Sequence, residues 1–146
     1  MKAITIMQPF ATLIAVGEKY FETRCWSTKY RGDLLIHAGK GKNYMYLCDG
    51  EPFKSILAKY GYNKDNLPMG EIIAKVNLTN CIKIDSLQTM FDVSNKKENP
   101  NELNFGNWDI GRYVWKLKNI QILKNPIPTK GQQRIWNYNG DVWNEL

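Results

Sequence analysis

The stretch Gly17–Gly32 concentrates the groups that can do chemistry. It reads Gly17-Glu18-Lys19-Tyr20-Phe21-Glu22-Thr23-Arg24-Cys25-Trp26 and closes on Tyr30-Arg31-Gly32. Lys19, Glu22, Arg24 and Arg31 are interleaved with Tyr20, Phe21, Cys25 and Trp26. Ionisable groups mixed this densely with aromatics suit a pocket for a planar polar or anionic ligand. An edge strand with a charged outer face is the competing reading. In a strand over 20–26, side chains alternate between faces. Tyr20, Glu22, Arg24 and Trp26 then share one face, and Phe21, Thr23 and Cys25 take the other, the core side. A carboxylate beside cations keeps its charge, which makes Glu22 an acceptor or an orienting group.

The flanking segments must position this stretch. Lys2–Met7 reads as a first strand with Ile4 and Ile6 inward. Gln8-Pro9 opens a helix through Val16, with Phe10, Leu13 and Ile14 as its apolar stripe and Gly17 as its terminator. Gln8, at the helix start, is expected to face the same cleft. Asp33–Ala38 reads as the next strand, with Leu34 and Ile36 inward. His37 lies opposite them, as a ligand contact or a satisfied structural histidine. The turn Gly39-Lys40-Gly41-Lys42 lets backbone approach a phosphate, though it is too short for a P-loop. A helix is expected from Pro52 to Tyr60. Gly70–Ile84 alternates Ile72, Ala74, Val76 and Leu78 with Glu71, Lys75, Asn77 and Thr79, as a half-buried strand does. Asp85–Gly111 reads as irregular, with 95–107 a mobile loop covering or flanking the cleft. Arg112–Leu123 reads as the last long strand. Pro126, Pro128 and Gly131 then return Gln132 and Trp136 to the body of the fold.

The chain has 146 residues and a formal net charge of +6. That length predicts one domain, 1–146, and the charge favours polyanionic partners. Arg112, Lys116, Lys118, Lys124, Lys130 and Arg134 fall between Arg112 and Gly140, where no Asp or Glu occurs. Tyr113 and Trp115 alternate with lysines and read as core. Trp136 and Tyr138 are the better stacking candidates. No apolar run has the length of a membrane span, and the N-terminus lacks the pattern of a secretory leader, so a cytoplasmic location is expected. Cys25, Cys48 and Cys81 are widely spaced, and His37 is the one histidine. No metal site, disulfide framework or cofactor is expected.

The run Met7-Gln8-Pro9-Phe10-Ala11, then Gly17-x-Lys19-x-x-Glu22-x-Arg24-x-Trp26 and Tyr30-Arg31-Gly32, resembles the ASCH (activating-signal-cointegrator homology) domain family. Looser likeness continues through Gly70–Ile84 and Pro128-x-x-Gly131-Gln132-x-x-Ile135-Trp136. The resemblance implies an α+β fold, a small mixed β-barrel of the PUA-like type with flanking helices. It also implies a role with RNA, single-stranded nucleic acid or a nucleoside or nucleotide, or a coactivator role. With such a ligand, Lys19, Arg24, Arg31 and Lys40 are phosphate or base-edge contacts. Gln8, Glu22, His37 and Gln132 are hydrogen-bonding candidates, and Trp26 and Trp136 are stacking planes.

Two other readings stand beside the binding module. Some small ASCH proteins are amidohydrolases of N4-acetylcytidine that use a lysine, a threonine nucleophile and a glutamate. Lys19 matches the lysine, but Glu22 stands at the threonine and Asn77 at the glutamate. Thr23 is expected to face the other side of the strand. The resemblance then leaves Lys19 and Glu22 as the catalytic candidates, Glu22 to activate water and Lys19 to stabilise an oxyanion, and weak deacetylation at most follows. Other members are ribonucleases, and Lys19, Tyr20 and Arg24 suit that chemistry without supplying paired histidines. A protein-interaction domain without chemistry is the remaining reading.

Overall fold

A computed structural model describes residues 1–146. Six strands form one mixed sheet: β1 (Lys2–Ile6), β2 (Phe21–Arg24), β3 (Gly32–Ala38), β4 (Glu71–Lys83), β5 (Tyr113–Pro128) and β6 (Ile135–Asn137). Their order is β2-β5-β4-β3-β1-β6. β1 runs parallel to β3, with Ile4 beside Ile36. The other pairs are antiparallel. The sheet curls into a half-barrel, and Arg24 on β2 spans its mouth to donate to the Thr5 carbonyl at 2.8 Å. This is the α+β mixed barrel expected from the sequence.

Apolar alternation drives the curl. Leu34 and Ile36 of β3, Ala74, Val76 and Leu78 of β4, and Trp115 and Leu117 of β5 fill the concave side with Ile4 and Ile6. Each buried aliphatic side chain contributes roughly 1.5–3 kcal/mol. Helix α1 (Phe10–Ala15) closes one end through Ala11 and Ile14. Its Leu13 points instead to a second cluster with Phe53 and Leu57 of α2 (Phe53–Lys59) and with Phe105. Gly17, at φ 81°, turns the chain out of α1 toward Lys19.

The region 85–111 departs from the expected irregular loop. Ser86 caps a third helix, α3 (Leu87–Ser94), its Oγ accepting from Thr89 N at 3.1 Å. Asn95 ends the helix in the left-handed conformation. The stretch 95–107 is a docked cover rather than a free loop. Glu102 and Phe105 are buried, as is the adjoining Trp108. Phe21, Ile84, Trp108 and Val114 form a separate apolar cluster beneath the cover.

Candidate nucleic-acid-binding cleft

A cleft of about 620 Å³ opens where the ends of β1 and β2 meet the cover. That lies within the range of about 300–1,000 Å³ usual for ligand sites. Thr5, Ile6 and Met7 form one wall and Glu22, Thr23 and Arg24 another. Asn43 and Tyr44, in the turn before the short 3-10 helix Met45–Asp49, and Tyr46 within that helix overhang it. Asn104, Phe105, Gly106 and Asn107 of the cover, with Arg112, complete it.

The strand at its centre is covered on both sides. Pairing Glu22 with Trp115 and Thr23 with Val114 puts successive residues over different apolar clusters. The expected division, with Phe21, Thr23 and Cys25 on the core side, is therefore corrected. Glu22 and Thr23 are both buried, Trp26 packs on the barrel core, and Cys25 is exposed. Glu22 Oε2 accepts from Arg24 Nε and Nη2 at 3.0 and 2.9 Å. Its Oε1 accepts from Thr23 N at 3.1 Å. Arg112 donates to the Asn107 and Thr23 carbonyls at 3.0 and 3.3 Å. Both arginines thus reach the cleft with part of their fork already committed to the chain.

Lys19 lies beneath the floor with no exposed surface. Its ammonium donates to the Phe105 carbonyl and sits 5.7 Å from the Phe10 ring centroid. Burial pulls its pKa below the usual lysine value, against the opposing pull of Glu22 and Glu102. Glu102 is the carboxylate the sequence reading missed. It accepts from Tyr20 N at 3.1 Å and from Phe21 N at 2.9 Å, which ties the cover to the start of β2. Burial raises its pKa, partly offset by Lys19. Asn77, placed by the sequence reading where a glutamate belongs, lies on β4 opposite Asp33 and outside the cleft lining. A Cβ on Gly106 would come within 3.0 Å of Thr23 Oγ1 and 3.5 Å of Lys19 Nζ, so both groups lie directly against the cover.

The remaining sequence candidates separate. Gln8 does not face the cleft. It is buried, with its amide donating to Thr12 Oγ1 and the Pro68 carbonyl and accepting from Thr12 N at 2.7, 2.8 and 2.9 Å. Trp136 is no stacking plane, because it is buried with Nε1 donating to Thr5 Oγ1 at 3.1 Å. His37 is a satisfied structural histidine. Nε2 donates to the Thr129 carbonyl at 2.8 Å, and Nδ1 accepts from the Thr5 hydroxyl at 3.1 Å. That tautomer follows from the carbonyl, which can only accept. Desolvation lowers its pKa, which favours the neutral ring. Lys40, Arg31 and Gln132 are exposed and outside the cleft lining. Arg31 is tied to the Thr28 and Tyr30 carbonyls. Arg24 and Glu22 are therefore the named candidates brought together at the opening, with Lys19 under them. Asn43, Tyr44, Tyr46, Asn104 and Asn107 were missed. Their signal in the sequence is only the polar and aromatic run beside the Gly39–Lys42 turn and the asparagine density around 101–107.

A curled mixed sheet with a helix at one end and a polar, aromatic cleft at its mouth defines a small PUA-like barrel domain. The ASCH domain family model matches residues 4–126. The chain belongs to the ASCH domain family. It is 25% identical over 142 residues to activating signal cointegrator 1 of Homo sapiens and, equally, to that of Mus musculus. Those matches cover 95% of this chain, which spans only 22% of the length of each relative. Among solved structures, the chain is similar to an ASCH protein from Zymomonas mobilis, with a TM-score of 0.58 at 14% identity. That match covers 94% of this chain and 87% of the other. At that identity the likeness is one of fold.

Proposed function

We propose that the chain is a nucleic-acid-binding module that takes one nucleotide of a single-stranded RNA into this cleft. The observation that carries the reading is the set of uncommitted groups at the opening. Tyr44 and Tyr46 are 43% and 68% exposed, large for aromatic side chains, and both line the cleft. They offer stacking planes beside Arg24 and Arg112. The side-chain amides of Asn43 and Asn104 line the cleft without a hydrogen-bond partner in the chain and suit a base edge. The association of PUA-like folds with RNA supports the same class.

Hydrolysis draws less support. Thr23 reaches the cleft, contrary to the sequence expectation, yet no base lies within hydrogen-bonding distance of its hydroxyl. A hydroxyl nucleophile needs one. Glu102 spends its carboxylate on two backbone amides.

A fluorescence titration with single-stranded RNA tests the binding reading. Affinity should fall as salt rises, by roughly 0.7 in log–log slope for each phosphate neutralised. Tyr46→Ala should weaken binding by about 1–3 kcal/mol through lost stacking, with no change in slope. Binding no stronger than that of a neutral control protein would end the proposal.

A further inference from the structure

The chain has four arginines, Arg24, Arg31, Arg112 and Arg134. The first three donate to acceptors of their own chain. Arg134 makes no hydrogen bond and no ion pair, although it is exposed and free to find one. Its guanidinium carbon sits 4.9 Å from the centroid of the Trp26 ring. Trp26 is itself braced edge-on against buried Trp115, with centroids 4.7 Å apart. The cation therefore rests on a rigid aromatic plane, with its N–H edges left for something outside the chain.

The backbone points the same way. Arg134 has φ 59°, and the other non-glycine residues with positive φ are Asn95 and Asn119. Asparagine tolerates that region because its short side chain bonds locally, whereas arginine gains nothing of the kind. A costly conformation that aims a side chain with no internal partner is a pointer to function. Its position fits. Ile135 pairs with Ile4, so one step further in the antiparallel register sets Arg134 beside Thr5. Thr5 lines the cleft and carries the carbonyl that holds Arg24. The nearby loop adds Lys130, and no acidic residue occurs from Arg112 to Gly140.

We infer that Arg134, held flat by Trp26, binds the phosphate that joins the nucleotide in the cleft to its neighbour in the strand. The inference rests on the proposed nucleic-acid reading of the cleft and adds a second contact outside it. Trp26 is then an orienting surface for the guanidinium rather than a stacking plane for a base. The guanidinium fork takes two phosphate oxygens at once, which an ammonium cannot match.

Arg134→Gly is the informative variant, because glycine accepts the positive φ without strain. Wild type, Arg134→Gly and Arg134→Lys would be titrated with a single-stranded RNA of about eight nucleotides across a salt series, beside thermal melts. Arg134→Gly should bind on the order of tenfold more weakly at low salt, with the slope of log affinity on log salt shallower by about 0.7. Its melting temperature should be at or above that of wild type. Arg134→Lys should keep the slope and still lose several-fold in affinity. An Arg134→Gly protein that binds with unchanged affinity and slope overturns the inference and leaves the cleft reading standing. One that melts well below wild type shows Arg134 to be a structural clasp and also overturns it. A wild type that binds no RNA removes the cleft reading and this inference together.

Discussion

Removing the Glu102 side chain asks what holds the cover over Lys19. Its carboxylate accepts from Tyr20 N at 3.1 Å and Phe21 N at 2.9 Å, and the residue is 1% exposed. Glu102→Ala leaves both amides without their acceptor. A buried donor left unpaired costs about 1–3 kcal/mol, so the two together cost about 2–6 kcal/mol. In a domain of this size that lowers the melting temperature by on the order of 10 °C. Glu102→Gln keeps an oxygen for the amides and removes the charge. Because burial raises the carboxyl pKa above its ordinary 4.5, ionisation in the folded state works against stability. The glutamine variant should therefore fall within about 1 kcal/mol of wild type near neutral pH, as neutral replacement of an unfavourable buried charge allows. The linkage has a definite sign. With the folded pKa raised, the native state holds the proton more tightly. The stabilisation is complete below pH 4.5 and is lost as pH rises through the folded value. The gap between wild type and Glu102→Gln should thus be smallest in acid, where both side chains are neutral, and shift in favour of the glutamine as pH rises through the folded value. Urea unfolding followed by tryptophan fluorescence reads this directly, since Trp108 donates to the Glu102 carbonyl at 3.2 Å. If the alanine variant stays within about 1 kcal/mol of wild type, or the glutamine is as damaging as the alanine, the acceptor argument is wrong.

Gly131 packs onto the His37–Thr5 pair, where an added Cβ would lie 2.5 Å from Thr5 Oγ1 and 2.6 Å from His37 Cε1. Gly131→Ala should destabilise the fold by about 1–3 kcal/mol, measured by urea unfolding, and an unchanged midpoint would show that the loop yields freely. His37 is the chain's one histidine, so its imidazole resonances can be followed by proton NMR without ambiguity. Its midpoint should lie below 6.5, with its contribution to stability present above that pH and lost as pH falls through the folded value; a midpoint above 6.5 would refute the buried neutral ring.

The strands were legible because each carries its own period. β4 alternates buried Ile72, Ala74, Val76 and Leu78 with Lys75 and Asn77, and no distant partner is needed to read it. Helix α1 announced itself through Pro9 and the Phe10, Leu13, Ile14 spacing. Ser86 ahead of Thr89 carries the signal for α3, but the surrounding asparagines and lysines favour loop. That 95–107 lies over the cleft was expected, but the anchors that dock it were not legible. Glu102, Phe105 and Trp108 follow no secondary-structure period, and Glu102 meets its amides across about eighty residues of chain. Gln8 and Trp136 misled for the same reason. Their polar groups are satisfied by the Pro68 carbonyl and the Thr5 hydroxyl, distant partners that local sequence does not reveal.

The dense charge of the 19–31 stretch is largely turned inward. Glu22 binds Arg24, Arg24 also bridges the mouth of the half-barrel to Thr5, Lys19 serves the Phe105 carbonyl, and Arg31 folds back on its own turn. Much of what reads as a binding motif in one dimension therefore closes the barrel in three. At the opening itself Arg24 and Arg112 face Glu22, two cations against one anion. So small a surplus, with both guanidinium groups part-committed, gives little attraction to a phosphate backbone. It leaves exposed Tyr44 and Tyr46 and the asparagine amides as the groups able to discriminate a ligand. The chain's net charge of +6 must then act largely from outside the cleft. Arg134, stacked on Trp26 and beside Thr5 in register, is one cation there that makes no hydrogen bond or ion pair within the chain. On the proposed RNA reading, base recognition within the cleft and phosphate capture beside it are thus physically separable. Tyr46→Ala should lower affinity without changing its salt dependence, and Arg134→Gly should change both.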